Sequence, residues 1–348
     1  MMRVAVPLLA MTALLAACST SAPPTPDEPI EPGANGPVAP APVKASAPPV
    51  KGPPLAEISS KIATLAKKSS AADRATLKRL LAGLKHDRKV VASFYGKTKL
   101  RHYRADGQVT EDGARVLALL ADLKRHNVDA RPYGLRDIDA ATAAVVAAFQ
   151  AERDAIIALG SDIAVAKVAA AAAAWLRGGP AGEIVLVKAG GDKLNGAGRK
   201  ALAAGIVEIA KRSRAVRDAI WAADVRIALA TVHYVIDFTM AKPAHPHEYI
   251  SPGSLRKLAD EQADVLIAHF AAEGAKPSEA MKASWPKHPQ YKRLLRAVDH
   301  YKKLVAKGGW EKLPPLGRKK IEKGGTSPFV EAMRRRLIAE GYEVPATG

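Results

Sequence analysis

AVRDAIWAADVRIALATVHYVIDFTM, residues 215–240, is the stretch that decides the fold. Ile220, Trp221, Val225, Ile227, Leu229, Val232, Tyr234, Val235 and Phe238 fall on nearly every side of a helical wheel. A helix that is apolar all round belongs inside a protein, so this one reads as the central core helix. His233 and Asp237 interrupt it one helical turn apart. They can be a charge-assisted acid/base or metal pair, or a buried hydrogen-bonded pair that satisfies itself; with no third catalytic partner in the sequence, the second reading is favoured.

Outward from this segment the text stays helical from about Ala56 onward. Thr110 is suited to cap a helix whose Val116, Leu117, Leu120 and Leu123 share a face, with Lys124, Arg125 and His126 complementing its C-terminal dipole. His288-Pro289 opens another helix, with Tyr291, Leu294, Leu295, Val298, Tyr301 and Leu304 at helical spacing and Gly308-Gly309 as its stop. Ser327-Pro328 opens a third, with Val330, Met333 and Leu337 inward and Gly341 at its end. Strand signals are sparse; the best is Glu183-Ile184-Val185-Leu186-Val187, followed by Gly190-Gly191. The fold class is therefore mainly α: one helical domain over residues 56–345, with the glycine-rich residues 178–198 as a soft internal boundary.

The N-terminus has a different character. Met1-Met2-Arg3, an apolar run from Val4 to Leu15 and two alanines precede Cys18, the only cysteine in the chain. This reads as a secretory signal over residues 1–17 whose small-small-Cys ending resembles a bacterial lipobox, so that Cys18 becomes the acylated first residue of the mature chain. With a single cysteine, no disulfide forms within the chain. No other segment reads as membrane-spanning, since even the run from Val168 to Leu176 is fenced by Lys167 and Arg177. Twelve of the 25 prolines fall between Pro23 and Pro54. Residues 18–55 therefore read as a disordered, proline-rich tether, which in polyproline II form at about 3.1 Å per residue reaches on the order of 100 Å.

The charge narrows the partners. Lys and Arg number 53 against 34 Asp and Glu, a net +19 that falls to +18 once the signal and its Arg3 are gone. A field of that sign attracts polyanions. Runs such as Lys211-Arg212-Ser213-Arg214, Arg318-Lys319-Lys320 and Arg334-Arg335-Arg336 would suggest nucleic acid in a cytosolic protein, but the export signal removes that partner and leaves peptidoglycan carboxylates, lipid headgroups and lipopolysaccharide phosphates. His245-Pro246-His247-Glu248 has ligand-type residues, but its setting between Lys242-Pro243 and Ser251-Pro252-Gly253 reads as a polar loop, and no metal or cofactor is expected.

Two stretches carry a family resemblance. The first is Ala92-Ser93-Phe94-Tyr95, then Leu100 to Tyr103, Asp106-Gly107, Thr110, the leucine-rich helix, and Asn127-Val128-Asp129-Ala130-Arg131-Pro132-Tyr133. The second is Trp285, His288-Pro289-Gln290-Tyr291 with Leu294, Gly308-Gly309-Trp310, Pro314, Gly324-Gly325, and Val330 with Met333-Arg334, Arg336-Leu337 and Gly341-Tyr342. The first resembles the opening of the scaffold region of large periplasmic L,D-transpeptidases, and the second resembles its end in order and spacing and is the more specific match.

The resemblance implies a cell-wall setting and, in its complete form, a cysteine nucleophile in a Ser-His-Gly-Cys-x-Arg element. This sequence contains no such element, and it stops at Gly348, soon after the arginine helix that the family's catalytic region lies beyond or around. The expectation is a non-catalytic, lipid-anchored cell-envelope protein at the outer membrane, docking on peptidoglycan or on a periplasmic cell-wall enzyme. The alternative is an enzyme, either a hydrolase using carboxylates or a transpeptidase subunit completed in trans. For docking, Arg334, Arg335, Arg336, Lys319 and Lys320 are the candidate polyanion contacts, and Tyr95, Tyr103, Trp285, Tyr291 and Trp310 the candidate aromatic ones. Trp310 has a second reading as a core plug, which is the favoured one.

Overall fold

The computed structural model describes residues 51–345 apart from 85–86, 97–98, 127, 240–260, 262, 271, 273 and 318–319. Cys18, the tether up to residue 50, Asn127, the His245-Pro246-His247-Glu248 loop, Arg318 and Lys319 lie outside the described residues. The helices are α1 (Leu55–Ala82), α2 (Arg88–Ser93), α3 (Glu111–Ala121), α4 (Leu135–Ile157), α5 (Ile163–Leu176), α6 (Glu183–Lys188), α7 (Gly196–Thr239), α8 over residues 263–270, α9 (Pro277–Ala283), α10 (Pro289–Ala306) and α11 (Pro328–Ala339). Among the described residues there is no strand, only an isolated antiparallel bridge between Tyr103 and Val109. The fold is mainly α.

The apolar stretch that opened the reading is the C-terminal half of α7, a helix of 44 residues. At 1.5 Å per residue it is about 66 Å long. It is long and apolar enough to cross a membrane by length and composition, which corrects the expectation that no segment outside the signal is. Two thirds of its most apolar window (67 %) is buried inside the fold, so it serves as a core helix. Two apolar clusters are strung along it. Ile58 and Ile62 of α1, Val168 and Ala172 of α5 and Leu202, Ile206 and Ile209 of α7 form one. The other runs from Val216 to Phe238 of α7, with Leu77, Phe94, Leu120, Val145, Phe270 and Met281 from the helices around it.

The predicted strand is helical. Glu183–Lys188 folds as α6, because its backbone can be satisfied within one short helix whereas a strand would need a neighbour, and only Leu186 is buried. Ile184 is 62 % exposed, so burial does not enforce the β-branched preference. Gly182 and Gly190, both at positive φ, bracket the helix. The capping expectations are met: the Thr110, His288 and Ser327 side chains each accept a backbone N–H of the helix that they precede. The last two helices are less enclosed than their spacing suggests. In α10 Leu295 is buried but Leu294 is exposed, and in α11 Ala332 is buried while Val330, Met333 and Leu337 are half-buried.

One buried carboxylate connects the elements around α7. Asp224 is fully buried and accepts the Tyr95 hydroxyl at 2.7 Å and the backbone N–H groups of Arg101, His102 and Tyr103 at 3.1, 2.8 and 2.9 Å. Four donors on one carboxylate replace the water that burial removes. Gly113 permits the close approach of this segment to α3, since a Cβ there would stand 2.4 Å from the His102 carbonyl oxygen. Asp224→Asn leaves too few acceptors for the converging donors. It should lower unfolding free energy by about 3–5 kcal/mol, the range for removing one partner of a buried charged cluster. Urea denaturation followed by circular dichroism measures this.

Candidate functional site

Titratable and aromatic side chains gather where the last turns of α7 meet the short turns Leu123–His126 and Arg131–Tyr133, Trp285 and the start of α10. The Trp285 indole N–H donates to the Tyr234 hydroxyl at 2.8 Å, and the Tyr234 ring stacks on Phe238 at 4.2 Å. His126 stands edge-on to Phe238 at 5.0 Å, 5.1 Å from Trp285, with its Nδ1 hydrogen-bonded to the Tyr291 hydroxyl. Burial holds His126 below its ordinary pKa, against the pull of Asp122 at 3.9 Å. Burial, reinforced by Asp237, raises the Tyr133 phenol, whose hydroxyl donates to Asp237 at 2.8 Å.

His233 and Asp237 therefore do not satisfy each other, which corrects the pairing expected of them. His233 Nε2 lies 3.1 Å from Asp87 and Nδ1 lies 3.4 Å from the Pro132 carbonyl oxygen, while Asp237 receives Tyr133. Both neighbours of the imidazole are acceptors, an arrangement that favours its doubly protonated form. The hydrogen bond to Asp87 accordingly raises its pKa. The sequence hides this because Asp87 is 146 residues away.

A second polar cluster sits at the junction of the two apolar clusters. Arg214 and Arg217 of α7 share Asp73 of α1, at 2.7 Å for Arg214 Nη1 and 3.1 Å for Arg217 Nε. Asp218 pairs with Arg214 and accepts the Thr76 hydroxyl at 2.7 Å, and Arg177 pairs with Glu152, which also accepts from Ser213. Three guanidinium groups face three carboxylates. The open groove beside this cluster, about 370 Å³ and lined by Lys67, Trp175, Gly178 and Arg217, has an arginine already committed to Asp73 and to the Arg177 carbonyl.

The sequence-predicted contacts do not converge on one place. Tyr95 and Tyr103 are 4 % and 3 % exposed, which corrects their assignment as contacts for a partner: they are core residues bound to Asp224 and Thr142. Trp285 and Tyr291 are half-buried in the α7 cluster. Trp310 is half-buried and packs locally on α10 and α11, 5.7 Å from Tyr301 and under the Arg336 guanidinium at 5.4 Å. Arg335 pairs with Glu311 and Arg336 with Glu340, both at 3.0 Å, Arg334 is half-buried, and the exposed Lys320 pairs with Glu322 at 2.8 Å. Unpaired cations are instead on α10, where Lys292, Arg293, Arg296, Lys302 and Lys303 are exposed with no carboxylate partner among the described residues. Among the described residues no group of three or more His, Cys, Asp or Glu could hold a metal ion. In the α7 cluster the hydroxyls of Tyr133, Tyr234 and Tyr291 are all hydrogen-bonded, which ties α7 to the Arg131–Tyr133 turn and to Trp285, and His126 to the start of α10.

No protein family, curated protein or solved structure matches this chain.

The His233 to Asp87 link gives a pH dependence whose sign is fixed. Because the folded pKa is raised, the stabilisation is complete below the ordinary value of about 6.5 and is lost as pH rises through the folded value. The urea midpoint of the wild type minus that of His233→Gln should therefore be larger at about pH 5.5 than at about pH 8.5. Equal differences at the two pH values would contradict the assignment.

Proposed function

We propose that this chain is a non-catalytic, lipid-anchored protein of the bacterial cell envelope that docks on an anionic envelope component through α10, α11 and the connection between them. The distribution of charge carries the reading. Residues 287–340 hold fifteen Lys and Arg against five Asp and Glu, so ten of the chain's nineteen net positive charges fall on that part. Elsewhere the arginines of the junction cluster are neutralised internally by Asp73, Asp218 and Glu152. A local excess of unpaired cations raises the concentration of a polyanion at that surface. The lipobox-like context of Cys18 and the resemblance to L,D-transpeptidase scaffold regions set this docking at the cell wall, with peptidoglycan or a cell-wall enzyme as the expected partner.

The test uses residues 18–348 with Cys18→Ala, so that no acyl chain confounds the result, sedimented with purified peptidoglycan sacculi. The bound fraction should fall steeply between about 50 and 300 mM salt, since exposed charges are screened over roughly 8 Å at physiological ionic strength. Replacing Lys292, Arg296, Lys303 and Lys307 by Gln should weaken retention about fivefold or more without changing the melting temperature. Retention indifferent to both salt and these residues removes electrostatic docking on the wall, and cross-linking of muropeptides by the chain alone removes the non-catalytic reading.

A further inference from the structure

The helix that carries the charge also carries hydrocarbon. Leu294, Val298, Tyr301 and Val305 follow the i, i+4, i+7, i+11 spacing of one helix face. Leu294, Tyr301 and Val305 are 64 %, 37 % and 55 % exposed. Lys292, Arg296, Lys303 and Lys307 lie about 180° round the helix from that stripe. Further along the chain Leu316, Ile321, Ile338 and Tyr342 are exposed as well, so seven of the fourteen exposed large apolar side chains among the described residues fall between positions 294 and 342. The helix is attached to the body along another side, through buried Leu295, the His126 to Tyr291 hydrogen bond and the Arg125 to Asp299 ion pair, which leaves Leu294 and Val305 open while Trp310 partly covers Tyr301 at 5.7 Å.

We infer that α10 lies on an anionic lipid bilayer, its Leu294 to Val305 face entering the boundary between headgroups and acyl chains and its lysines and arginines held by headgroup phosphates. This rests on the docking reading above and names its partner. Peptidoglycan offers carboxylates but no hydrocarbon, so it accounts for the basic residues and not for the apolar stripe; a bilayer accounts for both. A helix of low mean hydropathy with one strongly basic face and one apolar face is the form that settles in a membrane interface without spanning it. Charge attraction and apolar insertion act together there, since a helix about 10 Å across that sits in the headgroup layer keeps the long Lys and Arg side chains of its polar face among the phosphates. With Cys18 anchored, the tether would hold α10 near the lipid at high effective concentration, so a weak interfacial affinity suffices.

The experiment mixes residues 18–348 carrying Cys18→Ala with vesicles of phosphatidylglycerol and phosphatidylethanolamine, with vesicles of phosphatidylcholine alone, and with sacculi. Binding should be at least about tenfold tighter on the anionic vesicles than on phosphatidylcholine. The pair Leu294→Ser and Val305→Ser should weaken vesicle binding about fivefold or more and leave sacculus binding unchanged. Ile163→Ser with Val207→Ser, equally exposed at 71 % and 55 % but distant in sequence, should change neither. Melting temperatures of all variants report folding. Binding to sacculi but not to anionic vesicles overturns the lipid assignment and leaves docking intact, as does vesicle binding indifferent to the apolar pair. Binding to neither overturns both.

Discussion

Asp224 is the constraint on which the arrangement around α7 depends. A carboxylate buried on α7 is tolerable only where donors converge on it, and here they come from a segment more than 120 residues earlier. That segment is therefore fixed in register against α7. The consequences spread outward through Arg101. Its side chain donates from Nε to the Phe94 carbonyl at 2.6 Å and from Nη2 to the Phe270 carbonyl at 3.1 Å, joining the end of α2 to α8. The Arg101 carbonyl in turn accepts the Thr110 hydroxyl, the same side chain that caps α3. Placement of α2, α3 and α8 thus follows from satisfying one charge.

The junction cluster does related work one turn and more earlier on α7. Ion pairs taken from water into a partly buried site are weak evidence of stability, because desolvation offsets much of their attraction. They are stronger as a constraint on register. Asp73 comes from α1, Glu152 from α4 and Arg177 from the end of α5, each facing a partner on α7 or beside it. Sliding any of these helices by one turn of about 5.4 Å would strand a charge without a partner. Apolar surfaces alone, such as the alanine-rich face of α5, tolerate several registers.

Local signals were legible in the sequence and long-range ones were not. The core helix, the caps at Thr110, His288 and Ser327, and the glycine stops after α10 and α11 all depend on residues within a few positions of each other. Asp224 reads in the sequence as a blemish in an apolar helix, since nothing local shows which donors it meets. His233 and Asp237 occupy the right spacing for a pair and turn to Asp87 and Tyr133 instead, because elements distant in sequence pack beside them. Glu183–Lys188 has strand-type residues and folds as a helix because no other strand is present among the described residues to pair with it. The aromatic residues of the family-like pattern are likewise divided by packing: Tyr95 and Tyr103 go inward, and Trp310 goes to the base of the arginine helix.

The basic end acquires its outward character from where its few acids go. Asp299, the only acidic residue in α10, is turned toward the body and held by Arg125. Glu311 and Glu340 are taken by Arg335 and Arg336, and Glu322 by Lys320. Pairing does not alter the net charge of the region, but it decides where the uncompensated part resides. In the arginine triplet, the most conspicuous basic run in the sequence, Arg335 and Arg336 pair with neighbouring glutamates, and Arg336 also covers Trp310. The dispersed cations of α10 face solvent without a carboxylate partner among the described residues, so that helix presents uncompensated positive charge outward. On the docking proposed above, α10 offers an anionic surface its lysines and its exposed leucine and valine on one element.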